Sequence, residues 1–137
     1  MASDTEHAPR GGRPLSVTVV LVARNDAPRI TDAIQCLLDL EGVCRIELID
    51  DGSVDDTWRL MQRVIADNPE TAHQVVTSRF VEPLGERRLL RALADVRTDL
   101  AIIASPRDHS RATRVGRLLQ VFAQTDASVV VTDRARI

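Results

Sequence analysis

The strongest constraint on this chain is a rhythm: short apolar runs separated by amphipathic stretches of helical period. The first run, Ser16 to Ala23 (S-V-T-V-V-L-V-A), is β-branched and uncharged, as expected of a parallel strand buried on both faces. A helix is predicted from about Pro28 to Leu40, with Asp26 as N-cap and Pro28 in the first turn. Ile30, Ala33, Ile34, Leu37 and Leu38 form its buried stripe, and Gly42 ends it. A second strand follows from Arg45 to Asp50, then a loop over Asp51 to Val54. Ser53 and Asp56 have capping-box-like spacing ahead of a helix at about Asp55 to Asp67, which buries Trp58, Met61, Val64 and Ile65 and stops at Asn68-Pro69. Gln74 to Thr77 reads as a short third strand. Glu86 to Val96 reads as a helix with Leu89, Leu90, Leu93 and Ala94 inward, and Leu100 to Ala104 as a fourth strand. A polar loop (Ser105 to Ser110), a helix (Arg111 to Gln124) and a last strand (Ala127 to Thr132) complete the pattern. Strands alternating with helices predict an α/β fold: a three-layer α/β/α, doubly wound, mostly parallel, Rossmann-like sheet.

At 137 residues the chain is one-domain length. Residues 1–14 are polar and rich in Gly, Pro and Arg, predicting a disordered tail ahead of a domain at 15–137. That stretch has no apolar core of a signal peptide, and no run approaches the length of a membrane span, so a cytoplasmic location is expected. The net charge of −2 gives no sign of a nucleic-acid partner. Cys36 and Cys44 lack C-x-x-C spacing and the three histidines are scattered, which argues against a zinc site. All 18 basic residues are arginine. A lysine-dependent P-loop is thereby excluded. The arginine usage fits a coding bias as well as it fits phosphate binding by guanidinium groups.

On an open parallel sheet, ligands bind beyond the carboxyl ends of the strands near a topological switch point. That rule selects Ala23-Arg24-Asn25-Asp26, Asp50-Asp51-Gly52-Ser53 and Ser105-Pro106-Arg107-Asp108. No G-x-G-x-x-G follows the first strand, so a dinucleotide site is unsupported. The adjacent acids Asp50 and Asp51 can accept hydrogen bonds from a base or ribose. Equally, Asp50, Ser53 and Asp55 can be turn and cap residues only.

The run V-T-V-V-L-V-A-R-N-D, an intervening helix carrying Ala33-Ile34-Gln35-Cys36-Leu37, and Ile49-Asp50-Asp51-Gly52-Ser53-Val54-Asp55-Asp56-Thr57 resemble the opening of inverting family 2 glycosyltransferases of the GT-A fold. The resemblance implies a nucleotide-sugar donor of the UDP- or GDP-sugar class. It implies that Val22, Ala23, Arg24 and Asn25 line the nucleotide pocket beside Asp50, and that Asp51 accepts a base N–H. Arg24 stands where many members carry an aromatic on the base. Gly85 fits the start of the family's G-x-x-x-A-x-N-x-G stretch, whose asparagine and final glycine are missing here, and Arg88 joins the nucleotide-facing set.

The resemblance departs at the D-x-D motif, whose carboxylate holds Mg²⁺ or Mn²⁺ against the diphosphate. Here the positions read Ser105-Pro106-Arg107, and only the following Asp108 is acidic. Two readings follow: loss of metal and of transfer, leaving a non-catalytic binding or interaction module on the GT-A scaffold, or direct neutralisation of the diphosphate by Arg107 with Arg87 or Arg88. Residues 79–117 carry nine arginines against five acids, which suits an anion-facing surface as well as ordinary solvated helix faces. No candidate for a catalytic base is identified. The family's acceptor region would follow the last strand, so a truncated sheet is expected, inviting a homo-oligomer or a completing partner domain.

Overall fold

A computed structural model describes residues 15–107. The predicted tail, Asp108, the helix at 111–124 and the strand at 127–132 lie outside the described residues. The elements are β1 (Val17–Ala23), α1 (Ala27–Leu38), β2 (Arg45–Asp51), α2 (Thr57–Asp67), a 3₁₀ segment (Pro69–Gln74), β3 (Val75–Phe80), α3 (Glu86–Ala94) and β4 (Leu100–Ala104). The four strands form one parallel sheet in the order β3-β2-β1-β4. The chain lays strands outward on one side of β1, then crosses back to place β4 on the other. The switch point therefore lies between β1 and β4.

Strand alternation sorts the side chains into two cores. Val17, Val19, Leu21 and Ala23 of β1, with Ile46 and Leu48 of β2, meet Ile30, Ala33, Ile34 and Leu37 of α1 and Met61 and Val64 of α2. On the opposite face Val20 and Ile49 meet Ala92, with Leu89, Leu93 and Val96 against them. Helices thus cover both faces of a parallel sheet, the doubly wound arrangement expected. Each fully buried Ile or Leu in the larger core contributes about 1.5–3 kcal/mol.

The amino edge of the sheet is tied by polar bonds. Ser16 donates from its N–H and its Oγ to Asp99 Oδ2 (2.9 and 3.0 Å), while the Asp99 N–H returns to Ser16 Oγ (3.0 Å). Thr18 and Thr98 share a hydroxyl hydrogen bond of 2.7 Å. These contacts fix the start of β4 against the start of β1.

Three local expectations are corrected. β3 runs to Phe80 rather than stopping at Thr77, because Arg79 and Phe80 pair with Asp50 and Asp51 of β2. The inward face of α3 is Arg88, Leu89, Ala92 and Leu93; Leu90 is 63% exposed and Ala94 is exposed. Neither predicted capping bond forms: Asp26 and Asp56 hold the N-cap positions but their side chains accept no backbone N–H from the helix they precede, the carboxylates pairing with Arg29 and Arg59 instead, and Ser53 is used elsewhere.

Candidate functional site

The carboxyl ends of all four parallel strands open on one rim, built from the segments after β1 (24–26), β2 (52–56), β3 (81–85) and β4 (105–107). The first two are stitched together. Asn25, held at φ 52°, donates its N–H to Ser53 Oγ (2.9 Å) and accepts the Val54 N–H on Oδ1 (2.9 Å). A left-handed backbone is one that asparagine tolerates better than most residues. Asp26 donates its N–H to Thr57 Oγ1 (2.8 Å), and Asp55 accepts the Ala27 N–H (3.2 Å) and the Thr57 N–H (2.9 Å). Asp26 in turn accepts the Arg24 N–H (2.9 Å) and Arg29 Nη2 (3.0 Å). Ser53 and Asp55 therefore act as loop ties. Burial opposes the Asp55 charge, but the bonds from Thr57 and Ala27 outweigh it and hold its carboxyl below the usual range.

Asp50 and Asp51 do not act as a pair. β2 stays extended through both, so the pleat sends them to opposite faces. Asp50 joins the α2 face, fully buried, with Arg79 Nε 3.7 Å away and no hydrogen bond on either oxygen. The Arg79 guanidinium lies 5.6 Å from the centre of the Trp58 ring. Asp51 joins the α3 face and its carboxylate is heavily bonded. Oδ1 accepts the Leu84 N–H and Arg88 Nε, both at 3.0 Å, and Oδ2 accepts the Gly85 N–H at 2.8 Å. Burial pushes against its charge, yet the bonds from Leu84, Arg88 and Gly85 prevail and hold the Asp51 carboxyl below its ordinary value.

Arg88 completes this cluster. It is 7% exposed, donates Nη2 to the Glu82 carbonyl (2.9 Å), and sets its Cζ 3.5 Å from the centroid of Phe80. Two glycines shape the surrounding backbone. Gly52, at φ 76°, lies so near the 81–83 segment that a Cβ would sit 2.9 Å from Pro83 N and Cδ and 3.0 Å from the Val81 carbonyl. Gly85, at φ 60° and ψ −129°, occupies a region open to glycine alone.

The structure thus gathers Asp51, Gly85 and Arg88 in one cluster, and Asn25 with Ser53 in another. Val22 is half-buried, Ala23 buried and Arg24 exposed at the end of β1. Ser105 and Arg107 follow β4, beside the end of β1 through the Leu21–Ala104 pairing; there the Arg107 N–H bonds Ser105 Oγ (3.3 Å). Phe80, Glu82 and Arg79 escaped sequence reading as site residues, and Trp58 reads from the sequence only as a core residue of α2. The signal lay in Arg79-Phe80, legible only if β3 is carried two residues further.

The described part of the loop after β4, Ser105 to Arg107, does not by itself fit a divalent cation, and Asp108 lies outside the described residues. Mg²⁺ and Mn²⁺ require oxygen donors, whereas Ser105 to Arg107 offers one hydroxyl and an exposed guanidinium. Among the described residues, no three His, Cys, Asp or Glu side chains gather as ligands. No helix among them is long and apolar enough to cross a membrane.

No protein-family model matches the chain. No curated protein matches it. Solved structures do. Mannosyltransferase PcManGT from Pyrobaculum calidifontis, in complex with GDP-Man and Mn²⁺, superposes with a TM-score of 0.68 at 18% identity, covering 78% of this chain and 32% of that one. TarS (1–349) from S. aureus gives 0.65 at 13% identity, covering 80% and 33%. Glucosyl-3-phosphoglycerate synthase from Mycobacterium tuberculosis, with Mn²⁺, UDP and phosphoglyceric acid, gives 0.60 at 22% identity, covering 83% and 42%. The chain spans about a third to two fifths of the length of these structures. The likeness shows the fold: a GT-A, Rossmann-like sheet shared with glycosyltransferases.

Proposed function

We propose that this chain is the donor-binding portion of a glycosyltransferase domain and receives a UDP- or GDP-sugar at the carboxyl rim of its sheet. The observation that carries this reading is the reversal of strand order at β1, the kind of switch point beyond which open parallel sheets bind ligands; the Arg24–Asn25 and Ser105–Arg107 segments follow the two strands that flank it. The complexes of fold neighbours with GDP-Man, UDP and UDP-GlcNAc support it. The base and ribose lie toward the ends of β1 and β2, bounded by Val22, Ala23 and the stitched Asn25–Ser53 pair. The exposed Arg24 guanidinium stacks on the base or meets a phosphate. The diphosphate lies toward β4, where Arg107 supplies a permanent charge and charge-assisted hydrogen bonds. These residues bind and orient; none of them is assigned as catalytic base.

A second reading, a binding module without turnover, is favoured by the sequence after β4: Ser105-Pro106-Arg107 carries no carboxylate at the positions that the family resemblance aligns with D-x-D. Titration calorimetry with UDP-glucose and GDP-mannose, with and without Mn²⁺, tests both. Metal-independent heat with one donor is expected, and Arg24→Ala should weaken it about five- to tenfold, the worth of one stacked or charge-assisted contact. Heat only with Mn²⁺ would overturn the arginine-based account, and no heat with either donor would overturn donor binding. Transfer of labelled sugar to water or an acceptor would exclude the module without turnover.

A further inference from the structure

Among the described residues β3 is the outermost strand on its side of the sheet, so one edge of its backbone faces away from β2 with no strand beyond it. Exposed edges are usually blunted by proline, a bulge, lysine or an inward-pointing charge. This edge reads Val75-Val76-Thr77-Ser78-Arg79-Phe80, without proline, glycine or lysine, and continues into Val81. Its single charge is drawn back onto the sheet's own face. The Arg79 guanidinium lies 5.6 Å from the centre of the Trp58 ring, with Nε 3.7 Å from Asp50 Oδ2. Phe80 and Val81 stand beside it, 37% and 95% exposed. A β-rich edge that ends in two exposed apolar residues is a template for another strand.

We infer that this strand is β3 of a second copy of the chain, paired antiparallel about a two-fold axis through Ser78, so that two four-stranded sheets become one of eight strands. A two-fold contact must be self-complementary, residue i meeting j and j meeting i. Side chains directly opposite in an antiparallel pair share a face of the sheet, so the axis passes through one residue, and the sequence separates the choices. Centred on Ser78, Val76 meets Phe80 of the second copy, Thr77 meets Arg79, and Val75 comes beside Val81, each contact occurring twice. Aromatic and β-branched residues make favourable cross-strand pairs, and both exposed apolar residues find one. Centred on Thr77, Phe80 meets Gln74 and Val81 meets His73. Centred on Arg79, the guanidinium meets its own copy, a repulsive pair. The pairing also reaches the candidate site: the 81–85 turn, whose Glu82 carbonyl accepts Arg88, lies beside the 3₁₀ segment of the second copy. The two carboxyl rims then open at opposite ends of the joined sheet.

A single strand edge lies at the small end of interface sizes, so the dimer should dissociate on dilution. Sedimentation velocity of the full chain over about a hundredfold range of concentration is expected to show monomer passing to dimer and nothing larger. Ser78→Arg sets like charges opposite each other across the axis and should weaken the dimer about fivefold. Register is read separately by disulfide formation in a Cys36→Ser, Cys44→Ser background. Ser78→Cys brings the two Cα atoms to about 5 Å, within reach of a bridge, whereas Thr77→Cys leaves them about 8 Å apart, beyond it. Crosslinking of Ser78→Cys alone is expected. If Ser78→Arg does not fold, dilution and crosslinking carry the test. A monomer at every concentration, a dimer indifferent to a folded Ser78→Arg, open-ended polymers, or crosslinking that fails at Ser78 or favours Thr77 each overturn the inference.

Discussion

The Asp51–Arg88 pair is the most consequential contact at the level of single residues. Both side chains are nearly sealed from solvent, 2% and 9% exposed, so losing one partner strands the other charge. Asp51→Asn should lower stability by roughly 3 kcal/mol, toward the lower end for a broken buried pair because the Leu84 and Gly85 amides keep an acceptor. The loss should depend on pH. Since folding depresses the Asp51 pKa, its stabilisation is complete above the ordinary carboxylate range and disappears as pH falls through the lower folded value. Denaturant melts of wild type and Asp51→Asn should therefore differ most near neutrality and converge below about pH 4. Gly52 carries a different burden. Alanine there meets Pro83 and the Val81 carbonyl at a backbone angle unsuited to side chains, and Gly52→Ala should cost about 2 kcal/mol in the same melts.

Among the elements, α3 tests how far local pattern can be trusted. Its sequence E-R-R-L-L-R-A-L-A offers the leucines at 89, 90 and 93 as a plausible inner face, but the helix turns to bury Arg88 and Ala92 and leaves Leu90 outside. Leu90→Gln should change stability by less than about 0.5 kcal/mol, while Ile34→Ala in α1 should cost about 2–5 kcal/mol; a large loss at Leu90 would contradict the observed rotation. Periodicity found β1, β2, α1, α2 and β4 because their apolar residues decide their own burial. It misplaced the α3 face because an ion pair to β2, distant in sequence, sets that rotation. It cut β3 short because Arg79 and Phe80 look like loop residues until their pairing with Asp50 and Asp51 is known. The same limit applied to the acidic pair. Adjacency was visible in the sequence, but opposite facing follows from where β2 ends, and that is decided by pairing with β3.

Across the whole molecule, the two ends of the sheet are built differently. The amino edge is locked by the Ser16–Asp99 and Thr18–Thr98 bonds, all among side chains and backbone already satisfied. The carboxyl edge carries the exposed Arg24 and Arg107 and the strained turns. Adding UDP-glucose or GDP-mannose should accordingly shift amide resonances at 22–25, 51–53, 80–88 and 104–107 and leave those of Ser16, Thr98 and Asp99 in place; perturbations centred on the latter would place the ligand elsewhere. The reciprocal bonds between Asn25 and the Ser53–Val54 backbone add one more consequence. They make two of the four rim loops a single anvil, unable to part without surrendering both bonds. Whatever yielding a guest requires must then come from the jaw opposite, so mutations that broaden guest choice should accumulate in 81–88 and be poorly tolerated at 25 and 53.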